Sequence, residues 1–449
     1  MPTHTTTDWT PTSWTAYPAL QQPTYPDSDA LTAVTDELAT YPPLVTSWEI
    51  VRLKQHLAEA AAGNRFVLQG GDCAERFDEC TPRILANRLK ILLQMSLVLI
   101  HGLRKPVVRV GRIAGQYAKP RSANLETRDG SQLPSYRGDI INGAAFAAEV
   151  RTPDPQRMLD AYHRSAMTLN FMRALVEGGF ADLHHPEFWN LTFAQDSPLA
   201  EEFHRRVFSI RETLQFIESV TGGTQRELRE VELFTSHEAL LLPYEAAQTR
   251  TVPRREGYYN LSTHFPWIGM RTAGLDGAHV EYMRGIRNPI AVKIGPGMAP
   301  SDLQALVRYL DPNNEPGHLT LITRFGANRV ADLLPGLLGA VRATGHRVLW
   351  IADPMHGNTE TTASGIKTRH FDNILGELET AFDVHRAEGS HLGGVHFELT
   401  GEDVTECLGG TSNLTPDDLE RAYTSQVDPR LNYEQALEMA LRIVQRAEH

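Results

Sequence analysis

The sequence predicts a (β/α)8 barrel with an N-terminal extension and extra helices inserted between strands 2 and 3. Three observations predict it. Eight short apolar runs alternate with longer stretches whose apolar residues recur at helical spacing. Polar residues follow several of these runs, where a barrel collects its reactive groups. The length of 449 residues suits one large α/β domain with extensions, or two ordinary domains. A doubly wound sheet would show the same alternation.

Residues 1–45 are rich in Thr, Pro, Tyr and Trp and carry Gln21-Gln22-Pro23-Thr24-Tyr25-Pro26-Asp27. They read as an extended arm lying on something, such as a neighbouring subunit. The barrel takes residues 46–449. Its strand candidates are RFVLQGG (65–71), PVVRVGRIAG (106–115), VELFTS (231–236) and STHFPWIG (262–269), then 290–295, 319–326, 347–353 and 393–399. Stretches such as 82–103 and 328–345 supply intervening helices, the second closing on a glycine. No strand is evident from about 116 to 230, where residues 155–179 are strongly helical. An inserted helical region is therefore placed at about 156–195.

An apolar fraction of 41% permits a sizeable core, while a net charge of −12 and a pI near 5.8 argue against a nucleic-acid partner. The N-terminus has neither the basic nor the apolar region of a secretory signal, and no run approaches the roughly 18 apolar residues of a membrane span. Three cysteines, Cys73, Cys80 and Cys407, are too few for a disulfide framework. A reducing cytoplasm is the simplest setting.

The stretch Leu349–Thr359, LWIADPMHGNT, begins as a buried strand and places His356 just after an Asp-Pro break. Cys73 follows the first strand, Glu398 lies in the eighth, and Asp428 stands in a later turn before Pro429. Thiolate, imidazole and two carboxylates make a divalent-metal set, and this mixed, oxygen-rich set suggests a catalytic ion with an open position. The bland alternatives are a small core cysteine and a glutamate paired with arginine.

A second group is cationic: Arg109, Arg112, Lys119, Arg121 beside Ser122, Arg271, Lys293, Arg324, Lys367 and Arg369. Cations within apolar strands need anionic partners, because an unpaired buried charge is costly. Protein carboxylates could serve. Phosphorylated or carboxylated ligands suit the excess of cations better. No phosphate-loop or dinucleotide motif follows a strand, which disfavours nucleotide binding.

GGDCAERF, RVGRIAGQYAKPRS, VKIGPGM, DPMHGNT, GIKTRHFD, GGVHFELTGEDVTECLGG and DPRLN, with the opening SW…P…QQPxYPD, resemble the type II 3-deoxy-D-arabino-heptulosonate 7-phosphate (DAHP) synthases. The resemblance spans nearly the whole chain. It implies a transferase condensing phosphoenolpyruvate with erythrose 4-phosphate, with release of phosphate, as the first step toward chorismate and the aromatic amino acids. By the same likeness Cys73, His356, Glu398 and Asp428 are metal ligands, for Mn²⁺ or Co²⁺ ahead of Zn²⁺ or Fe²⁺. Arg112, Lys293 and Arg324 contact phosphoenolpyruvate, with Arg271 and Trp267 near them. Lys119 stands between the substrates, Arg121 and Ser122 hold the erythrose phosphate, and Lys367 and Arg369 share it. Lys119, His356 and Cys73 form the catalytic group. A homodimer or homotetramer, with aromatic amino-acid effectors at the inserted helices or a subunit contact, is also implied.

The chain departs from the family pattern WxGERTR, with Met270 for the acid and Ala273 for the second base. Either a local ion pair is gone or the pocket favours a related aldehyde such as an amino-sugar analogue, as in specialised metabolism. A metal-dependent hydrolase and a low-activity regulatory homologue are further alternatives. The spacing of Cys73 and Cys80 permits a disulfide when metal is absent.

Overall fold

The computed structural model describes residues 9–128, 130–180 and 231–447, with positions 201, 205, 208 and 212. Eight strands form a closed barrel: β1 (Phe66–Gly71), β2 (Val107–Arg112), β3 (Leu233–Glu238), β4 (Phe265–Ile268), β5 (Ile290–Ile294), β6 (Leu319–Thr323), β7 (Leu349–Ala352) and β8 (Leu392–Glu398). Each pairs in parallel with its sequence neighbours, and β1 pairs with β8 to close the ring. All eight expected runs overlap a strand, most of them longer than the strand because residues at one or both ends of the run fall in loops.

Helices form where caps and apolar spacing agree. Helix α1 (Ser28–Thr40) starts at Asp27, whose carboxylate accepts from the Asp29 and Ala30 amides. Helix α2 (Ser47–Ala61) opens with a reciprocal Thr46–Glu49 capping box. Its Leu53, Leu57 and Ala60 are fully buried against Val67, Val108, Phe234, Phe265 and Leu349, closing the amino-terminal end of the barrel. Each such leucine contributes about 2 kcal/mol. With the bottom plugged, access to the interior is from the carboxyl rim.

Helix α3 (Pro82–Leu103) runs from the Thr81 cap to a left-handed Arg104 and packs against the C-terminal helix (Tyr433–Ala447). Contrary to the sequence reading, α3 has the length and hydropathy of a membrane span, but 67% of its apolar window is buried within the protein. It is a core helix, apolar on several faces because barrel and neighbouring helices surround it.

Two expectations need correction. The N-terminal segment is only partly extended: α1 lies within it, and Trp9 Nε1 donates to Glu281 O at 2.9 Å, so the arm lies on its own barrel. Between β2 and β3 a short hairpin, Leu125–Arg128 with Ser131–Pro134, precedes helix α4 (Arg157–Glu177). Its strands are too short to read by alternation. Residues 181–195 of the expected insertion lie outside the described residues.

Candidate active site

Strand alternation decides which rim residues face inward. On β2, Val108, Val110 and Arg112 share the inner face, whereas Arg109 points outward and its Nε donates to Ser96 Oγ of α3 at 2.6 Å. Arg109 therefore leaves the cationic group. Register puts Gly71 opposite both Arg112 and Glu398, so these two side chains flank the end of β1. Gly71 has φ 146°, and a Cβ there would stand 2.8 Å from Arg112 O.

The four expected ligands converge. One atom each of Cys73, Glu398 and Asp428 lies within 4.8 Å of the others, and His356 Nε2 is 2.9 Å from Glu398 Oε1. Lys119 Nζ stands among them, 2.7 Å from Cys73 Sγ, 2.8 Å from Asp428 Oδ2 and 3.3 Å from Glu398 Oε1. A thiol and two carboxylates that already surround a positive group, with an imidazole on Glu398, fit a divalent cation. His356 Nδ1 faces Asp353 Oδ2 at 2.7 Å, which leaves Nε2 turned to the set.

Beside this set, Arg112, Lys119, Arg121, Ser122, Trp267, Arg271, Lys293, Arg324 and Lys367 line a cleft of about 240 Å³, with Glu238 and Met270. Lys293 Nζ sits 2.6 Å from Asp353 Oδ2 and 4.4 Å from the Trp267 ring centroid. Among the described residues, the guanidinium groups of Arg121 and Arg271 make no hydrogen bond or ion pair, which leaves their donors for a ligand.

A model of the Class-II DAHP synthetase family matches residues 9–444. The chain belongs to that family. It is 50% identical over 451 residues to the phospho-2-dehydro-3-deoxyheptonate aldolase of Neurospora crassa, covering 97% of this chain and 93% of the relative. The Streptomyces coelicolor protein of the same name is 48% identical over 433 residues, covering 96% of each. Phospho-2-dehydro-3-deoxyheptonate aldolase AroG of Mycolicibacterium smegmatis is 48% identical over 436 residues, 96% of this chain and 93% of the relative. Class-II DAHP synthetases are metal-dependent in general, in keeping with the donor set.

The electrostatics of this DAHP synthetase site follow from burial and pairing. Burial pushes the Cys73 thiol up to about 12, with Glu398 adding to the rise and Lys119 opposing it. A divalent cation would act in the direction of Lys119, toward the thiolate. Burial also raises Asp428, but Lys119, Arg369 and Lys367 more than offset it and hold the carboxyl well below its usual range. Burial lowers Lys293 to about 8 against the pull of Asp353. Glu238, buried, is pushed up by desolvation while Lys293, Lys119 and Arg112 pull it down.

One expected phosphate contact is placed elsewhere. Arg369 is fully buried behind Glu398, with Nη2 2.8 Å from Glu398 Oε2, Nε on Thr359 Oγ1 and Nη1 on Pro429 O. Its donors face protein oxygens, so it buttresses Glu398. Cys73 and Cys80 form no disulfide; Cys80 Sγ lies 3.4 Å from Thr168 Oγ1 instead.

Sequence reasoning missed Glu238, Asp353 and His396. Asp353 had a signal, a carboxylate three residues before a histidine in one turn. His396 had none; it lies one inner-face step below Glu398, its Nε2 2.6 Å from Arg112 Nη1. At the departure from the family pattern, Met270 Sδ is 3.6 Å from Arg324 Nη1, and Ala273 is buried.

Proposed function

We propose that this enzyme of the class-II DAHP synthetase family condenses phosphoenolpyruvate with erythrose 4-phosphate and releases phosphate, the first step of the route to chorismate and the aromatic amino acids. The convergence of Cys73, Glu398 and Asp428, with His356 on Glu398, beside a cleft where the Arg121 and Arg271 guanidinium groups have no partner among the described residues carries this reading. Arg112, Lys293 and Arg324 hold phosphoenolpyruvate, with Arg271 and Trp267 beside them. Arg121 and Ser122 hold the phosphate of the aldehyde, and Lys367 at the cleft edge joins them. Lys119 stands between the two substrates. Holding two mutually repelling anions together is chiefly a matter of positioning and charge compensation.

The four ligands would hold Mn²⁺ or Co²⁺ in preference to Zn²⁺ or Fe²⁺; such an ion supplies Lewis-acid polarisation of the aldehyde carbonyl. C3 of the enol attacks the aldehyde carbon, water adds at C2, and the resulting hemiketal phosphate breaks its C–O bond to expel phosphate. Glu238 faces the cleft with its carboxyl raised by burial and is suited to take the proton of that water. Three free thiols fit a reducing cytoplasm. Phe, Trp or Tyr acts as effector beside α4 or at a contact within a homodimer or homotetramer.

The test is a metal-reconstituted assay of phosphoenolpyruvate with a panel of aldose phosphates. Consumption with erythrose 4-phosphate alone is expected. Phosphate release without any aldehyde would indicate a hydrolase. Preference for an amino analogue would favour a specialised role, for which Met270 against Arg324 is the motivating observation.

A further inference from the structure

Gln21, in the motif QQPTYPD, has φ 63°, a left-handed backbone that glycine adopts at lower cost. A strained non-glycine residue persists where its side chain is needed. Here the side-chain amide pairs with the backbone of a residue 100 positions away: Oε1 accepts from Arg121 N at 2.9 Å, and Nε2 donates to Arg121 O at 3.1 Å. Buried Arg137 brackets the pair. Its Nη1 donates to Gln21 Oε1 at 3.2 Å, its Nη2 to Asn124 Oδ1 at 2.6 Å, and its carbonyl accepts from Lys119 N at 2.8 Å.

The neighbouring Gln22 is bonded elsewhere, to Leu240 O and from Leu242 N beyond β3. The arm is therefore anchored without Gln21, and the pairing of Gln21 serves the turn Lys119–Asn124. The Arg121 guanidinium has no bond of its own among the described residues, so its aim depends on how its backbone is held.

We propose that Gln21 is a positioning residue that sets the Arg121 turn to receive the phosphate of the aldehyde substrate, making the N-terminal arm part of the acceptor site. The inference rests on the proposed role of Arg121.

Gln21→Gly in the full-length, metal-reconstituted enzyme separates side chain from backbone, because glycine suits the left-handed conformation. Thermal stability should hold or rise, while KM for erythrose 4-phosphate rises about tenfold, the worth of the lost pairing. KM for phosphoenolpyruvate and kcat should change less than about twofold. Gln21→Glu, which keeps the acceptor and loses the donor, should fall between. Added to Arg121→Met, Gln21→Gly should cost nothing further. An unchanged KM for the aldehyde, alongside a raised one in Arg121→Met, would overturn the inference and leave the site reading intact. Equal rises in both KM values with a lower melting temperature would mean a merely structural role. If Arg121→Met itself leaves that KM unchanged, the role of Arg121 is wrong and the inference falls with it.

Discussion

Lys119 Nζ lies 2.7 Å from Cys73 Sγ. The ammonium also reaches Asp428 and Glu398, so a cation of the protein shares the field that a divalent ion requires. Lys119→Met removes a like charge and should tighten divalent-ion binding by roughly tenfold or more. It should also lower kcat at least about 100-fold. Chelator-competition titration read beside steady-state kinetics checks both; unchanged affinity would contradict the placement.

Asp353 is fully buried, and His356 and Lys293 hold its carboxyl far below the usual range despite desolvation. Its contact with His356 Nδ1 orients the ring. Asp353→Asn should lower metal affinity about 10- to 100-fold, with His356→Ala lowering it further. Metal content after dialysis, measured with the far-ultraviolet spectrum as a check of folding, decides the matter.

Among the described residues, Arg324 meets Met270 Sδ and His356 O but no carboxylate. Arg324→Met should raise KM for phosphoenolpyruvate on the order of 100-fold, as expected for a lost charge-assisted pair. KM for the aldehyde should barely move. A reversed pattern would exchange the two anion sites.

Glu377, on the helix Phe371–Ala387, accepts from Phe325 N and Asn358 Nδ2, each at 2.7 Å, and links the loops carrying Arg324 and His356. Burial pushes its carboxyl from 4.5 up to about 7, against those hydrogen bonds. Because the folded value is the higher one, its contribution is full below about 4.5 and is lost as pH rises through about 7. Relative to Glu377→Gln, the wild type should therefore lose up to about 3 kcal/mol between pH 4.5 and 8. Denaturant unfolding of both proteins across that range measures it, and a pH-independent difference would refute it.

The barrel was legible because eight apolar runs keep their spacing whatever surrounds them, and β1 to β8 fall within them or within two residues of their ends. The polar cluster was legible because Cys73, His356 and Glu398 are unusual residue types at or just past strand ends, with Asp428 in a later turn. Arg109 and Arg369 misled for one reason. A positive charge in or near a strand looks the same in sequence whether it faces the cleft, the outer helices or the back of Glu398.

By itself the sequence determined the element order, the inventory of donors and cations, and the family likeness, since periodicity and motif are local properties. Only the tertiary structure decided which of those groups share a space. Cys73 and Asp428 meet across 355 residues, Gln21 and Arg121 across 100, and Lys293 and Asp353 across 60. Such contacts depend on barrel closure and on a strand register in which one residue's shift turns every side chain to the opposite face.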